Sequence, residues 1–196
     1  MSDINTAYEK LIGALNARAT SLPAIKCPEF FALAEELFTQ QEEAIACAMP
    51  LGYSTLEDIA ENLKVKDLEQ LHRQLETMAD KGLIELKKEN GKKLYQFLPL
   101  IPGIIEYQFM KGTVDERSKK IAYLFKAYSK AVSAAFRSAE TPKVEKSAPA
   151  RKIPVNKGVS TQAVVLPYRQ TRQAILDSEY ISAGTCMCRH LSLIHI

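Results

Sequence analysis

Apolar positions recur at helical spacing through the first half of the chain. In "AYEKLIGALNARA", Tyr8, Leu11, Ile12 and Leu15 mark one face of a helix. Pro28 opens a second segment, in which Phe31, Ala34, Leu37 and Phe38 share a side and Pro50 marks the stop. From Ser54 the pattern sharpens. "STLEDIAENL" places Glu57 three residues after Ser54, the spacing of a capping box, and Leu56, Ile59, Ala60 and Leu63 then form an apolar face. Asp67 is a second N-cap residue with Gln70 at the N3 position. Leu68, Leu71, Leu75, Met78 and Ala79 are the predicted buried face of the helix that follows, and Gly82 ends it. The period then drops to two. "LIELKKENGKKLYQFLPL" alternates apolar and polar residues on both sides of Asn90-Gly91, a strong hairpin signal. Helix, tight turn, helix, hairpin is the order of a winged helix-turn-helix, predicted here from about Ser54 to Leu98.

After the hairpin, "PGIIEYQFMKG" predicts a short helix. "DERSKKIAYLFKAYSKAVSAAF" predicts a long one with Ile121, Leu124, Phe125, Tyr128, Val132, Ala135 and Phe136 as its stripe. "SAETPKVEKSAPARK" reads as a linker. Beyond it, "KIPVN" and "QAVVL" are strand candidates, "PYRQTRQAILDSE" is a helix with Pro167 in its first turn, and "YISAGTCMCRH" is extended. The expected organisation is N-terminal helices over 1–50, the winged helix with its following helices over 51–140, a linker over 141–152 and a second α+β unit over 153–190. The expected fold class is therefore mainly α with a small β-hairpin wing.

Composition narrows the function classes. The chain has 196 residues, 46% hydrophobic and 25% charged, with a net charge of +3, an ordinary globular balance that gives no global attraction to nucleic acid. No apolar run approaches the ~18–20 residues of a membrane span. "MSDINTAYEK" lacks the layout of a signal peptide, so a cytoplasmic protein with reduced thiols is expected.

The predicted second helix of the winged unit tests the DNA reading. From Asp67 to Lys81 it carries Asp67, Glu69, Glu76 and Asp80 against Arg73 and Lys81, a net of −2, and the helix before it adds Glu57, Asp58 and Glu61. A helix that enters the major groove lies between phosphates, which oppose such a charge. Arg73 and Gln74 are the candidates for base contacts. Lys92 and Lys93, with Lys87 and Lys88, give the wing a basic tip. DNA binding is thus the alternative, and an interaction or regulatory module the favoured use of the fold.

Four cysteines remain to be placed. Cys27 and Cys47 stand alone and read as small hydrophobes or loop thiols. Cys186-Met187-Cys188 is different, because two thiolates one residue apart can hold one metal centre. Zinc would enlist His190 as a third ligand, at a spacing tight for a tetrahedral site.

The region "IPVN", then "VLPYRQTRQAILDSEYISAGTCMCRH", resembles a family of prokaryotic iron–sulfur ferredoxin-type proteins that carry a winged helix in front. There, a Leu-Pro-Tyr helix leads to an extended segment ending in Cys-x-Cys-Arg. "DKGLIELKK", "YQFLPLIPGIIEYQF" and the helix from Asp115 are also similar, so the resemblance spans about Leu51 to His190. It implies that Cys186 and Cys188 ligate a 4Fe-4S cluster, with further cysteines downstream. The C-terminal unit would then be the start of a cluster-binding segment, and a protein redox partner would follow. Cluster iron prefers thiolate, the small Ser182, Ala183 and Gly184 would let backbone amides approach its sulfurs, and Arg189 would set positive charge beside it.

The last six residues, Leu-Ser-Leu-Ile-His-Ile, are what CTG TCT CTT ATA CAC ATC encodes, the end sequence of a transposase adapter used to fragment DNA for sequencing. Residues 191–196 are accordingly expected to be read-through, with the natural sequence continuing differently after about His190. The leading expectation is part of an electron-transfer protein with no catalytic constellation of its own. The alternative is a winged-helix transcriptional regulator with a cysteine-based redox or metal sensor.

Overall fold

The computed structural model describes residues 2–19, 23–137 and 167–188, with side chains in the first helix from residue 8 onward. The predicted linker, both strand candidates after it, His190 and the terminal hexapeptide lie outside the described residues. The described residues are mainly helical with one two-stranded antiparallel sheet. In chain order the elements are α1 (Ser2–Asn16), α2 (Pro28–Leu37), α3 (Gln40–Ala48), α4 (Leu56–Leu63), α5 (Leu68–Asp80), β1 (Ile84–Glu89), β2 (Lys92–Phe97), α6 (Ile105–Met110), α7 (Glu116–Arg137) and α8 (Tyr168–Leu176). No helix among the described residues is long and apolar enough to cross a membrane.

Two boundaries differ from the sequence prediction. The segment from Pro28 to Pro50 is two helices rather than one. Phe38 turns extended, and Thr39 caps α3 through a reciprocal box with Glu42. The spacing Thr39-x-x-Glu42 was legible but masked by the apolar run leading into it. The cap of α4 is Thr55 with Asp58, not Ser54 with Glu57. Ser54 is taken by another partner: its backbone pairs with Tyr95 in both directions at 2.9 Å, which keeps it extended and delays the helix by one residue.

Elsewhere the pattern translates directly. Asp67 accepts from the Gln70 amide at 2.9 Å and caps α5, whose Leu71, Leu75 and Met78 are fully buried. Leu68 is not: it is 40% exposed, because the first turn of α5 projects past the apolar face. At its other end α5 stops in a Schellman arrangement, with Gly82 N–H donating to Ala79 O and Leu83 N–H to Met78 O. Gly82 sits at φ +72, and a Cβ there would also lie 2.6 Å from the Cβ of Tyr107 on α6, so two constraints demand glycine. The hairpin turns at Asn90 (φ 50) and Gly91 (φ 75), the positive pair of a type I′ turn. Its register pairs Ile84 with Phe97 and Leu86 with Tyr95, so one face supplies four apolar side chains to the core.

The remaining helices cover this unit. Arg18, just past α1, donates to the carbonyls of Met49 (2.6 Å) and Pro50 (2.7 Å) and lies over the Phe97 ring at 5.1 Å, tying α1, the end of α3 and β2. α7 runs along α2: Tyr128 is buried beside Phe30, and its hydroxyl accepts from the Ile25 amide at 3.2 Å. The expected α7 stripe fades along the helix. Ile121 and Tyr128 are buried, Leu124, Phe125, Val132 and Ala135 are half-buried, and Phe136 is exposed, since α2 covers only part of the length.

By its contacts the chain divides into two units, Met1–Pro142 with Thr185–Ile196, and Lys143–Gly184. In the second, α8 follows Pro167 as predicted, and none of its side chains is buried.

Leu75→Ala should cost about 2–5 kcal/mol by deleting a fully buried side chain at the centre of α5. Chemical denaturation of both proteins measures it, with a loss below about 1 kcal/mol removing this face of α5 from the core.

Candidate functional site

The chain approaches the cysteine pair without regular structure over 180–186 and makes a short helical step at 187–188. Cys186 and Cys188 are exposed and not disulfide-bonded, whereas Met187 between them is partly buried against the core. Exposure thus alternates through the motif, with a partly buried Met187 between two exposed cysteines. The Thr185 amide donates to the Met110 carbonyl at 2.9 Å, which fixes the segment on the end of α6. Gly112 faces it at φ +70, where a Cβ would lie 2.6 Å from Thr185 Oγ1.

The donor chemistry suits a soft metal or an iron–sulfur cluster, both of which take thiolate. The ligand number is incomplete. Among the described residues no group of three or more Cys, His, Asp or Glu is placed to share an ion. Cys186 and Cys188 would supply two thiolates of the four a cubane cluster takes. Cys27 and Cys47 differ from this pair. Both are half-buried, and burial pushes the Cys47 thiol up to about 11 and raises Cys27, so both are held as neutral thiols.

The residues expected to meet DNA are largely engaged with protein. Arg73 pairs with Glu69 at 2.7 Å, and Gln74 donates to Gln41 of α3 at 3.0 Å. Lys93 reaches Glu76 at 3.0 Å, while Lys92 is exposed without a carboxylate partner among the described residues. Glu76 also accepts from the Tyr95 hydroxyl at 3.0 Å. The phenol has one proton and gives it to Glu76, so His72 Nδ1, 3.0 Å from the same oxygen, is the donor in the second contact. Lys93 above all, with Tyr95, holds the Glu76 carboxyl below the usual carboxylate range. Burial and Glu76 together raise Tyr95, keeping it a neutral donor. His72 stands four residues before Glu76, a spacing that brings both to one side of α5.

A second polar junction joins a capping pair legible in the sequence to a lysine that is not. Glu42 is 7% exposed, and its carboxylate accepts from Lys81 at 2.6 and 2.9 Å and from the Thr39 amide at 2.8 Å. It joins the start of α3 to the end of α5 across residues far apart in sequence. Burial pulls the Glu42 carboxyl upward, but Lys81 and Thr39 outweigh it and hold it below the ordinary range. The Lys81 carbonyl in turn accepts from Gln108 of α6 at 2.8 Å.

Comparison of the chain with protein-family models, with curated proteins and with solved structures finds no significant match.

The Glu42 junction has a pH signature. Its carboxyl titrates lower folded than unfolded, so its stabilisation is present above the unfolded value and is lost as pH falls through the folded one. Lys81→Met should therefore cost about 1.5–3 kcal/mol at neutral pH. The cost should shrink as pH falls through the folded value and Glu42 takes up its proton. Urea unfolding of the two proteins at pH 7 and over a descending acid series provides the comparison; a cost that stays constant throughout would remove Glu42 as the partner that matters.

Proposed function

We propose that this chain is part of a 4Fe-4S ferredoxin-type electron-transfer protein in which a winged helix serves as an interaction module. The observation that carries the reading is the presentation of Cys186 and Cys188, both exposed, on a segment held to α6. When bound, the cluster supplies one-electron chemistry, and the protein supplies ligands, position and local charge. The two cysteines would ligate it, with the remaining thiolates coming from other residues or another chain. The order α4, α5, β1, β2, with the added Ser54–Tyr95 bridge, supports the winged-helix part of the reading.

A protein redox partner suits the surface of α5 better than DNA does. Its Arg73 and Gln74 are bonded to Glu69 and Gln41, and its exposed face keeps a net negative charge. The regulator alternative would have to break those contacts to reach bases.

Anaerobic reconstitution with iron and sulfide tests the assignment. The chain should retain well under one cluster per monomer, and Cys186→Ser or Cys188→Ser should abolish what it retains. Iron and sulfide content indifferent to both substitutions would overturn the cluster reading.

Titration against a randomised duplex pool at physiological salt tests the module. Weak binding without sequence preference is expected, falling steeply with salt, removed by Lys92→Ala with Lys93→Ala and little changed by Arg73→Ala. Selection of a defined palindromic site, lost in Arg73→Ala, would favour the regulator instead.

A further inference from the structure

α6 is only six residues long, yet close contacts hold it on two sides. On one side it closes the C-terminal end of α5. Tyr107 packs on Gly82 with no room for a Cβ, Gln108 Nε2 donates to Lys81 O at 2.8 Å, and Lys111 Nζ, one residue beyond the helix, donates to Asp80 O at 3.3 Å. Orphan carbonyls at the end of α5 are thus satisfied from α6 and the residue after it. On the other side α6 receives the cysteine segment, through Thr185 N–H to Met110 O and the Thr185–Gly112 approach. Met187 adds a partly buried anchor on the core.

From this juxtaposition we infer that Thr185 and Met187 form a latch that positions the Cys186–Cys188 thiols, and that α6 couples occupancy of those thiols to the C-terminal end of α5. The coupling deepens the proposed metal-site reading and rests on it; the latch itself does not. With Met187 seated, a metal bridging both thiols keeps the alternation that buries the thioether. Binding, with release of the two thiol protons, and docking therefore favour each other. Undocking would free the segment to sample conformations in which the thiols diverge, which weakens chelation through lost preorganisation. Thr185 and Met187 are positioning residues, acting through the cysteines.

The test uses the full chain, Cd²⁺ as the thiol-seeking probe and the thiolate-to-metal absorption band as readout, with amide hydrogen exchange measured in parallel. Met187→Ser, and separately Thr185→Pro, which removes the amide donor, should weaken Cd²⁺ about 5–10-fold, with Met187→Leu restoring the affinity. Without metal, Met187→Ser should speed exchange of the Thr185 amide and of the Gly82 and Leu83 amides that close α5. Cd²⁺ should slow exchange at Gly82 and Leu83 in the unsubstituted chain and not in Met187→Ser. The thermal midpoint of each variant separates local release from unfolding. If Cd²⁺ gives no thiolate band even in the unsubstituted chain, the metal site and its coupling fail; metal-free acceleration at Thr185 in Met187→Ser would still establish the latch. Unchanged exchange at Thr185 in Met187→Ser overturns the latch. Cd²⁺ affinity equal in all variants, or bound Cd²⁺ leaving Gly82 and Leu83 unaltered, overturns the coupling.

Discussion

Tyr95 is the residue through which the hairpin becomes part of the protein. A two-stranded ribbon is marginal in water by itself, so β1 and β2 must be held by something other than their own pairing. Tyr95 supplies three attachments from one position. Its ring is buried beneath the sheet, its backbone exchanges hydrogen bonds with Ser54 just ahead of α4, and its hydroxyl meets Glu76 and His72 on α5. A buried phenol needs a partner for its proton, and here the partner fixes how α5 faces the sheet. The start of α4, the roll of α5 and the placing of the hairpin therefore depend on one residue.

That dependence changes what the acidic charge of α5 means. Counted along the sequence, Glu69 and Glu76 are repulsive charges on a helix that would have to approach phosphate. In the fold, Glu76 accepts from Tyr95 and pairs with Lys93, and Glu69 pairs with Arg73. Similar pairings occupy part of the hairpin: Lys87 lies beside Glu89 and Lys93 beside Glu76, leaving Lys88 and Lys92 without carboxylate partners among the described residues. Acid and base both lose long-range effect by pairing, since exposed pairs are screened and weak. The balance still disfavours groove entry, because Arg73 and Gln74 would have to exchange protein partners for bases.

How much was legible follows from the range of each interaction. The helices, the Asp67 cap, the Gly82 stop and the Asn90-Gly91 turn come from neighbours within a few residues, and periodicity and turn chemistry expose them. The one-residue shift of the α4 cap was not legible, because a strand partner 41 residues further along the chain holds Ser54 extended. Glu42–Lys81 and Gln74–Gln41 are likewise contacts between distant stretches, visible only once α3 and α5 lie side by side. For the cysteines, spacing alone offered the donor chemistry and not the mounting. Nothing in "GTCMCRH" says that Met187 seats on the core or that Gly112 yields space to Thr185.

Gly82 and Gly112 illustrate how a short helix can be made to carry position. Six residues give α6 little helical stability of its own, so its place must come from its surroundings. Each glycine sits at positive φ, where the backbone turns, and each leaves the space of a Cβ to a side chain across the gap. Removing a Cβ at two turns costs backbone entropy in the unfolded chain, a cost borne twice around one small helix. What it secures is contact close enough for backbone hydrogen bonds at both ends: Gln108 to Lys81 on one side, Thr185 to Met110 on the other. A loosely mounted segment would leave the two thiols free to diverge. The partial burial of Met187 and the Thr185–Met110 bond hold this segment against α6, the mounting that the proposed metal centre would use.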